Sequence, residues 1–432
     1  MKMNIRSYII DWLFICLMNW YAISGFLGIF NIGYVFRIYF ILSFLFFLTI
    51  LYNERISIVF YKLLGILLLW LLYLYLYHYH TQIEPPVPYN IMKDKIMDAA
   101  QIFPQTFFYI GSAVYIYRNY LRLDVVLYNL MIISLSLMLL LILAIYYTQG
   151  PSFFVLEAQM IKGTTVSIIT VSYSLAFCAV LALYMILEKK NNVAWFCFIL
   201  SVVTILILGK RGSLLSVASA GISLYIFYNK NIWGFLWRMT AIIVLYIVFI
   251  QNVDYIFDFF SIFSERLAQE SKMAFLYGDT NGREDLWNYA IEQIGISPIW
   301  GTYPKVYYMN ANLWGWGMHP HNIYLEALMT MGIVGTVPFV FFIIWTLNTK
   351  IYKSISKGTP YCFFGMLFIA ELVHGFFSGT LYSSWVWFLL FVFSYDLYKE
   401  SREKNIRYHK LSNFRRKRRT TELAAKYNVS RS

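Results

Sequence analysis

The sequence predicts an all-α fold, a polytopic membrane protein with about twelve transmembrane helices and one large external loop. Three observations predict it. Of 432 residues, 60% are hydrophobic and 13% charged, with a mean hydropathy of +0.59, so a water-soluble domain of this composition would expose far too much apolar surface. The apolar residues are gathered into runs close to the roughly 20 residues that cross a bilayer. Lysines and arginines recur in alternate connections between those runs, as the positive-inside bias requires.

The runs lie near 8–30, 34–52, 56–78, 103–117, 125–147, 166–187, 193–208, 213–228, 236–251, 322–347, 361–378 and 381–397. The first is followed by no small-residue cleavage site and reads as a retained helix. The fourth and eighth are short. With Lys2 and Arg6 inside, the inside connections carry Arg55 and Lys62, Arg118 and Arg122, Lys189 and Lys190, Lys230 and Arg238, and Lys350, Lys353 and Lys357. Both termini are then cytoplasmic. The chain divides into helices one to nine (1–251), an external loop (252–321), helices ten to twelve (322–397) and a basic tail (398–432).

Residues 399–432 hold twelve Lys or Arg against three Glu, +9 of the net +13. On a polytopic protein the cluster Arg415-Arg416-Lys417-Arg418-Arg419 points to anionic membrane lipids, not nucleic acid. Cys16, Cys178, Cys197 and Cys362 lie inside apolar runs without pair spacing or neighbouring ligands, so neither a disulfide nor a metal site is indicated. No internal repeat stands out.

The loop 252–321 carries eight acidic residues against four basic ones, with helical periodicity around Asp285–Ile294. A connector of about 70 residues is too long to be passive and reads as a small folded cap. One short external turn breaks the charge rule, Gly209-Lys210-Arg211-Gly212-Ser213, with two adjacent cations. It is not a phosphate-binding P-loop, since position 204 is Thr. Cations on the wrong face suggest a grip on phosphate; snorkelling at the interface is the plainer explanation.

At the far end of the loop stands Gly317-Met318-His319-Pro320-His321-Asn322. Pro320 is compatible with a helix start, which would set His321 and Asn322 in the first turn beside free N–H groups. That setting favours an anion and a neutral imidazole, hence a base beside a phosphorylated substrate, although a capping role explains the same residues. Arg283, in Asn281-Gly282-Arg283-Glu284-Asp285-Leu286-Trp287, supplies a third external group. Two arginines could hold a pyrophosphate and a histidine could take a hydroxyl proton. Glu371 and His374, spaced i and i+3, would share a face inside the bilayer. Lys210, Asn322, His319, Glu371 and His374 are the candidates for substrate contact beside Arg211, Arg283 and His321. Trp300, Trp314 and Trp316, with Tyr303, Tyr307 and Tyr308, read mainly as interface anchors.

Order and wording make the set specific. Gly282-Arg283-x-x-Leu286-Trp287, Ser297-Pro298-Ile299-Trp300-Gly301, His321-Asn322-x-Tyr324-Leu325 and Met331-Gly332-Ile333-Val334-Gly335 closely resemble the signature region of the O-antigen ligase and polymerase superfamily. Lys210-Arg211-Gly212-Ser213 looks like that family's first arginine site, and the resemblance covers roughly residues 200–390. Trp300 departs from it, standing where a smaller apolar residue is usual.

The resemblance implies a metal-independent, cofactor-free membrane glycosyltransferase of GT-C type in the bacterial inner membrane. It would act at the periplasmic face on a glycan carried by undecaprenyl pyrophosphate. Arg211 and Arg283 would bind the pyrophosphate, and His321 would activate the acceptor hydroxyl. The acceptor is a carrier-linked repeat unit in a polymerase and the lipid A–core in a ligase, and a chain-length regulator is a further implied partner. The absence of an Asp-x-Asp motif from the loop agrees with a metal-free mechanism. A transporter, of the bicarbonate type or a flippase, is the rival reading. It fits less well because the unusual charges gather at one face instead of at midplane. A structural scaffold would leave Arg211, Arg283 and His321 without a purpose.

Overall fold

The computed structural model describes residues 5–30, 32, 35–51, 102–150, 167–227, 232–277, 283–301, 320–356, 360–377 and 385–395. Helices stand in every expected run that falls among them. The run near 56–78 and the basic tail lie outside the described residues. In chain order the helices are α1 (Ile5–Met18), α2 (Trp20–Ile29), α3 (Val35–Leu51), α4 (Ile102–Arg118), α5 (Leu123–Gln149), α6 (Ile168–Lys189), α7 (Asn192–Ile207) and α8 (Arg211–Phe227). They continue with α9 (Ile232–Gln251), α10 (Val253–Ser261), α11 (Glu265–Tyr277), α12 (Arg283–Ile296), α13 (Ile323–Thr346), α14 (Tyr361–Phe377) and α15 (Trp385–Tyr395). A π-helical turn, Leu347–Ile351, and a short helix, Tyr352–Ser356, prolong α13. There is no strand among the described residues.

Four stretches are long and apolar enough to cross a membrane: Tyr120–Gln149, Ile168–Leu187, Trp233–Gln251 and Ile323–Ile355. The α1–α2 pair makes a fifth if its 71° bend is counted as one span. Five further apolar helices, α3, α7, α8, α14 and α15 among them, are shorter. The protein is therefore multi-pass. The bend departs from the single helix expected over 8–30. At Asn19 the side-chain amide donates to the Ile15 carbonyl at 2.9 Å, competing with the helical ladder, and a new helix begins at Trp20.

The core is built on α6 and α14. α6 packs on α5, α7 and α8, while α14 packs on α8 and on the extension of α13. Phe363, Phe364 and Phe368 of α14 and Tyr184 of α6 are fully buried. On α8 the buried residues include Ser213, Ser216, Ala220 and Ser223, small side chains that let helices approach closely where lipid offers no hydrophobic drive. By contrast α9 has no fully buried residue in its apolar window; its exposed apolar surface is suited to lipid.

At one end of α6, Lys189 pairs with Asp124 at 2.8 Å and Tyr184 donates to the same carboxylate at 2.8 Å. Asp11 of α1 nearby receives Arg122 and the Tyr115 hydroxyl. The other end of α6 carries Ser172 and Tyr173, and the segment expected to be a folded cap meets the bundle there. Three helices, α10 to α12, occupy that segment where it is described. Lys272 bonds Asp254 at 2.7 Å across α11 and α10, and that hydrogen bond and charge raise the ammonium's pKa above its ordinary value.

Candidate functional site

Helix α13 begins at Ile323, three residues later than Pro320 would allow. Asn322 is its cap, accepting from the amides of Tyr324 at 3.0 Å and Leu325 at 3.1 Å. His321 thus precedes the cap instead of lying in the first turn, with a positive φ of 51° that turns the chain into the helix. Two of the N–H groups expected to attract an anion are consumed by Asn322. Asn322, a candidate for substrate contact, spends its side-chain Oδ1 on this cap.

A backbone lock fixes this corner. Gly332 breaks α13 at φ 59°, ψ −167°, which frees amides from the helical ladder. Ile333 N–H donates to the Pro298 carbonyl at 2.9 Å and Val334 N–H to Ile299 at 3.2 Å. Gly301 and Gly332 face each other so closely that a Cβ on Gly301 would stand 2.2 Å from the Thr330 oxygen. The Ser297–Gly301 and Met331–Gly335 motifs are therefore two halves of one joint. Trp300, the departure from the family's usual wording, is exposed and leaves the joint intact.

That joint seats α12 against α13, with Ala290 and Met329 buried between them. Burial there raises the Tyr289 phenol to about 12, with the charge of Glu292 adding to it. The Trp287 indole donates to the Pro320 carbonyl at 2.9 Å, one residue before His321. Arg283 lies one turn earlier on the same face of α12, about 6 Å along the axis.

The Lys210-Arg211 turn is built differently. Gly209 takes φ 67° and lies against Ser264, the residue ahead of α11, whose hydroxyl accepts from Leu267 N–H. Lys210 is half-buried beside it. Arg211, the first residue of α8, donates from Nη1 to the Glu270 backbone carbonyl at 2.6 Å. The Glu270 carboxylate is already held by Arg266 at 2.6 Å. Arg211 has no carboxylate partner among the described residues. Behind the turn, Ser172 donates to Ser213 at 2.7 Å and the Tyr173 hydroxyl presses on Gly212.

Tyr173 links this turn to the remaining candidates. Its ring stacks on His374 with centroids 3.5 Å apart, and His374 Nδ1 lies 3.3 Å from the Glu371 carboxylate. A cavity of about 170 Å³ opens beside the pair, bounded also by Asn19, Thr170, Trp385 and Ile323. Ile323 follows the His321-Asn322 corner and packs on Gly375, while the Tyr324 hydroxyl donates to the Leu372 carbonyl at 3.1 Å. One end of α14 therefore touches both the Arg211 turn, through Tyr173, and the His321 corner.

Contacts through Tyr173, Ile323 and Tyr324 connect the Arg211 turn, Glu371, His374 and the His321–Asn322 corner; Lys210 adjoins Arg211 in the chain, and Arg283 lies one helical turn from Trp287, which bonds Pro320. The remaining expected site residue, His319, lies outside the described residues. Sequence reasoning missed Tyr173 and the polar face it shares with Thr170 and Ser174. The available signal was their i, i+3, i+4 spacing inside an apolar run. It also passed over Glu326, fully buried in the first turn of α13.

Residues 196–340 match the family model described as O-antigen ligase. No curated protein and no solved structure matches the chain. The matched segment contains Lys210, Arg211, Arg283, His321 and Asn322 and stops before Glu371 and His374. It gives the transporter reading no support.

Proposed function

We propose that this chain, a member of the O-antigen ligase and polymerase superfamily through residues 196–340, is a metal-independent membrane glycosyltransferase. Its donor is an oligosaccharide on undecaprenyl pyrophosphate, and its acceptor a second glycan at the periplasmic face of the inner membrane. The reading is supported by the match over residues 196–340, which contains Arg211, Arg283 and His321, and by the contacts of Tyr173 with His374 and of Trp287 with Pro320, beside the segments that carry those three residues. In this scheme the acceptor hydroxyl attacks the anomeric carbon as its proton passes to the His321 imidazole. The bond from that carbon to the pyrophosphate oxygen breaks, and the electron pair leaves on the phosphate. Arg211 and Arg283 neutralise the growing charge, the task a divalent cation performs in many sugar-nucleotide transferases. Lys210 adds charge beside Arg211, and His319 stands two residues from the base. With both termini cytoplasmic, α10 to α12 form the periplasmic cap of a twelve-helix protein.

In the polymerase version the acceptor is another carrier-linked repeat unit. We take this version because no feature identifies a lipid A–core site. The description of the matched family keeps the ligase version as the second reading. Replacing His321 with Ala in the native host should reduce transfer by about 10²- to 10⁴-fold while the protein still reaches the membrane. A normal chain-length ladder on a gel from that strain would refute the assignment. Product lengthened on the carrier in a strain without lipid A–core identifies a polymerase; product found solely on lipid A–core identifies a ligase.

A further inference from the structure

Apart from Ile323, the cavity beside Glu371 and His374 is lined by residues outside the segment matched by the family. Its chemistry is distinctive. Tyr173 and Trp385 offer aromatic faces, and Asn19, Thr170, Glu371 and His374 offer polar atoms. No Lys or Arg lines it among the described residues, so it is unsuited to phosphate. A polyprenyl tail would offer the Glu371 carboxylate and the Asn19 amide nothing beyond the one partner each already has, His374 and the Ile15 carbonyl, a poor match for polar lining. A sugar ring satisfies both halves, with C–H faces against the aromatics and adjacent hydroxyls shared among carboxylate, imidazole and amide. The size agrees, since about 170 Å³ is the share of roughly five or six waters and accommodates a single ring.

We propose that this cavity is a monosaccharide subsite, in which Glu371 and His374 bind the hydroxyls of one sugar ring stacked on Tyr173 or Trp385. The assignment rests on the glycan-transfer reading and deepens it by naming where one ring sits, between the Arg211 turn and the His321 corner. The Glu371–His374 contact at 3.3 Å presents a ready acceptor and donor to a pair of neighbouring hydroxyls. The ring comes either from the donor, next to its pyrophosphate, or from the acceptor, at its reactive end.

The test uses the full-length protein in lipid nanodiscs, probed by saturation-transfer NMR with methyl glycosides of glucose, galactose, N-acetylglucosamine and N-acetylgalactosamine. Two variants report on the cavity. Glu371→Gln keeps the shape and loses the charge; Ser174→Phe fills the space and leaves the Glu371–His374 pair intact. Monodisperse elution confirms that each is folded. At least one glycoside should bind wild type, weaken roughly ten-fold with Glu371→Gln, and lose its signal with Ser174→Phe. In a transfer assay both variants should raise KM for a single substrate by about ten-fold, with kcat changed far less. A raised donor KM identifies the donor sugar, and a raised acceptor KM the acceptor sugar. Glycoside binding untouched by both variants, or both KM values unchanged, overturns the subsite. A wild type that transfers no glycan would instead sink the transferase reading, and the binding arm would still decide what the cavity holds.

Discussion

At the Lys189 end of α6, Asp124 receives an ammonium and a phenol, and Asp11 beside it receives a guanidinium and a phenol. At the Tyr173 end, about 24 Å away along the helix axis, Arg211 is held by a neutral carbonyl and Glu371 by an imidazole. The first arrangement spends charge on charge, and the second leaves it in hand. A guanidinium anchored by a backbone oxygen keeps its orientation without surrendering its net charge, as a pyrophosphate grip requires. The difference separates charges that hold helices together from charges positioned for a ligand.

The most damaging change should strike the joint that gives the Tyr173 end its geometry. A Cβ on Gly332 would lie 2.3 Å from the Ile299 oxygen and 2.6 Å from the Gly301 nitrogen, at a φ that L residues rarely adopt. Gly332→Ala should therefore cost about 3–5 kcal/mol, seen as a large fall in melting temperature of the solubilised protein. Gly150 provides the control, because its φ is also positive, at 77°, and nothing lies within 4 Å of a Cβ built there. Gly150→Ala should cost about 1–3 kcal/mol of backbone strain, since its ψ of 175° also falls where glycine alone sits easily, but with no clash added to it. Equal melts for the two variants would show that the α12–α13 joint is not rigid.

Arg211→Lys tests the charge argument itself. Lysine keeps the charge and can still reach the Glu270 carbonyl, yet it loses the planar fork. Transfer should fall about 100-fold, or roughly 2.7 kcal/mol in the barrier, with the melting temperature almost unmoved. If the variant melted early and each folded molecule worked normally, Arg211 would be one more structural cation, and the contrast between the ends would fail.

How far the sequence reached follows the same division. Apolar runs are read one residue at a time, so helix positions were legible; the bend at Asn19 was not, because a side chain reaching back to Ile15 leaves no trace in hydropathy. The Ser297–Gly301 and Met331–Gly335 wording stood out as motifs, yet its purpose is a backbone contact between segments some thirty residues apart. His321 was found by its place at a loop–helix junction. Its conformation was misread, because Pro320 and Asn322 are both good helix starters and the two caught amides decide for Asn322. Tyr173 escaped since one aromatic in an apolar run looks like core until His374, two hundred residues on, is packed against it.

The smallest effect should come from the Lys189 end, and it completes the contrast. Asp11→Asn keeps the side chain's shape while removing the charge that Arg122 meets. The pair is partly buried, with side-chain exposures of 29% for Arg122 and 13% for Asp11, which discounts the full cost of breaking a buried pair. A loss of about 1–2 kcal/mol is expected in thermal unfolding. Transfer per folded molecule should stay within about two-fold, because charge lost where it only braces helices changes no interaction with the donor. Should Asp11→Asn instead depress turnover as Arg211→Lys is expected to, with no change in melting, the two ends would be coupled through α6. The length of α6 from Tyr184 beside Asp124 to Tyr173 beside His374 would then be a mechanical link and not a boundary.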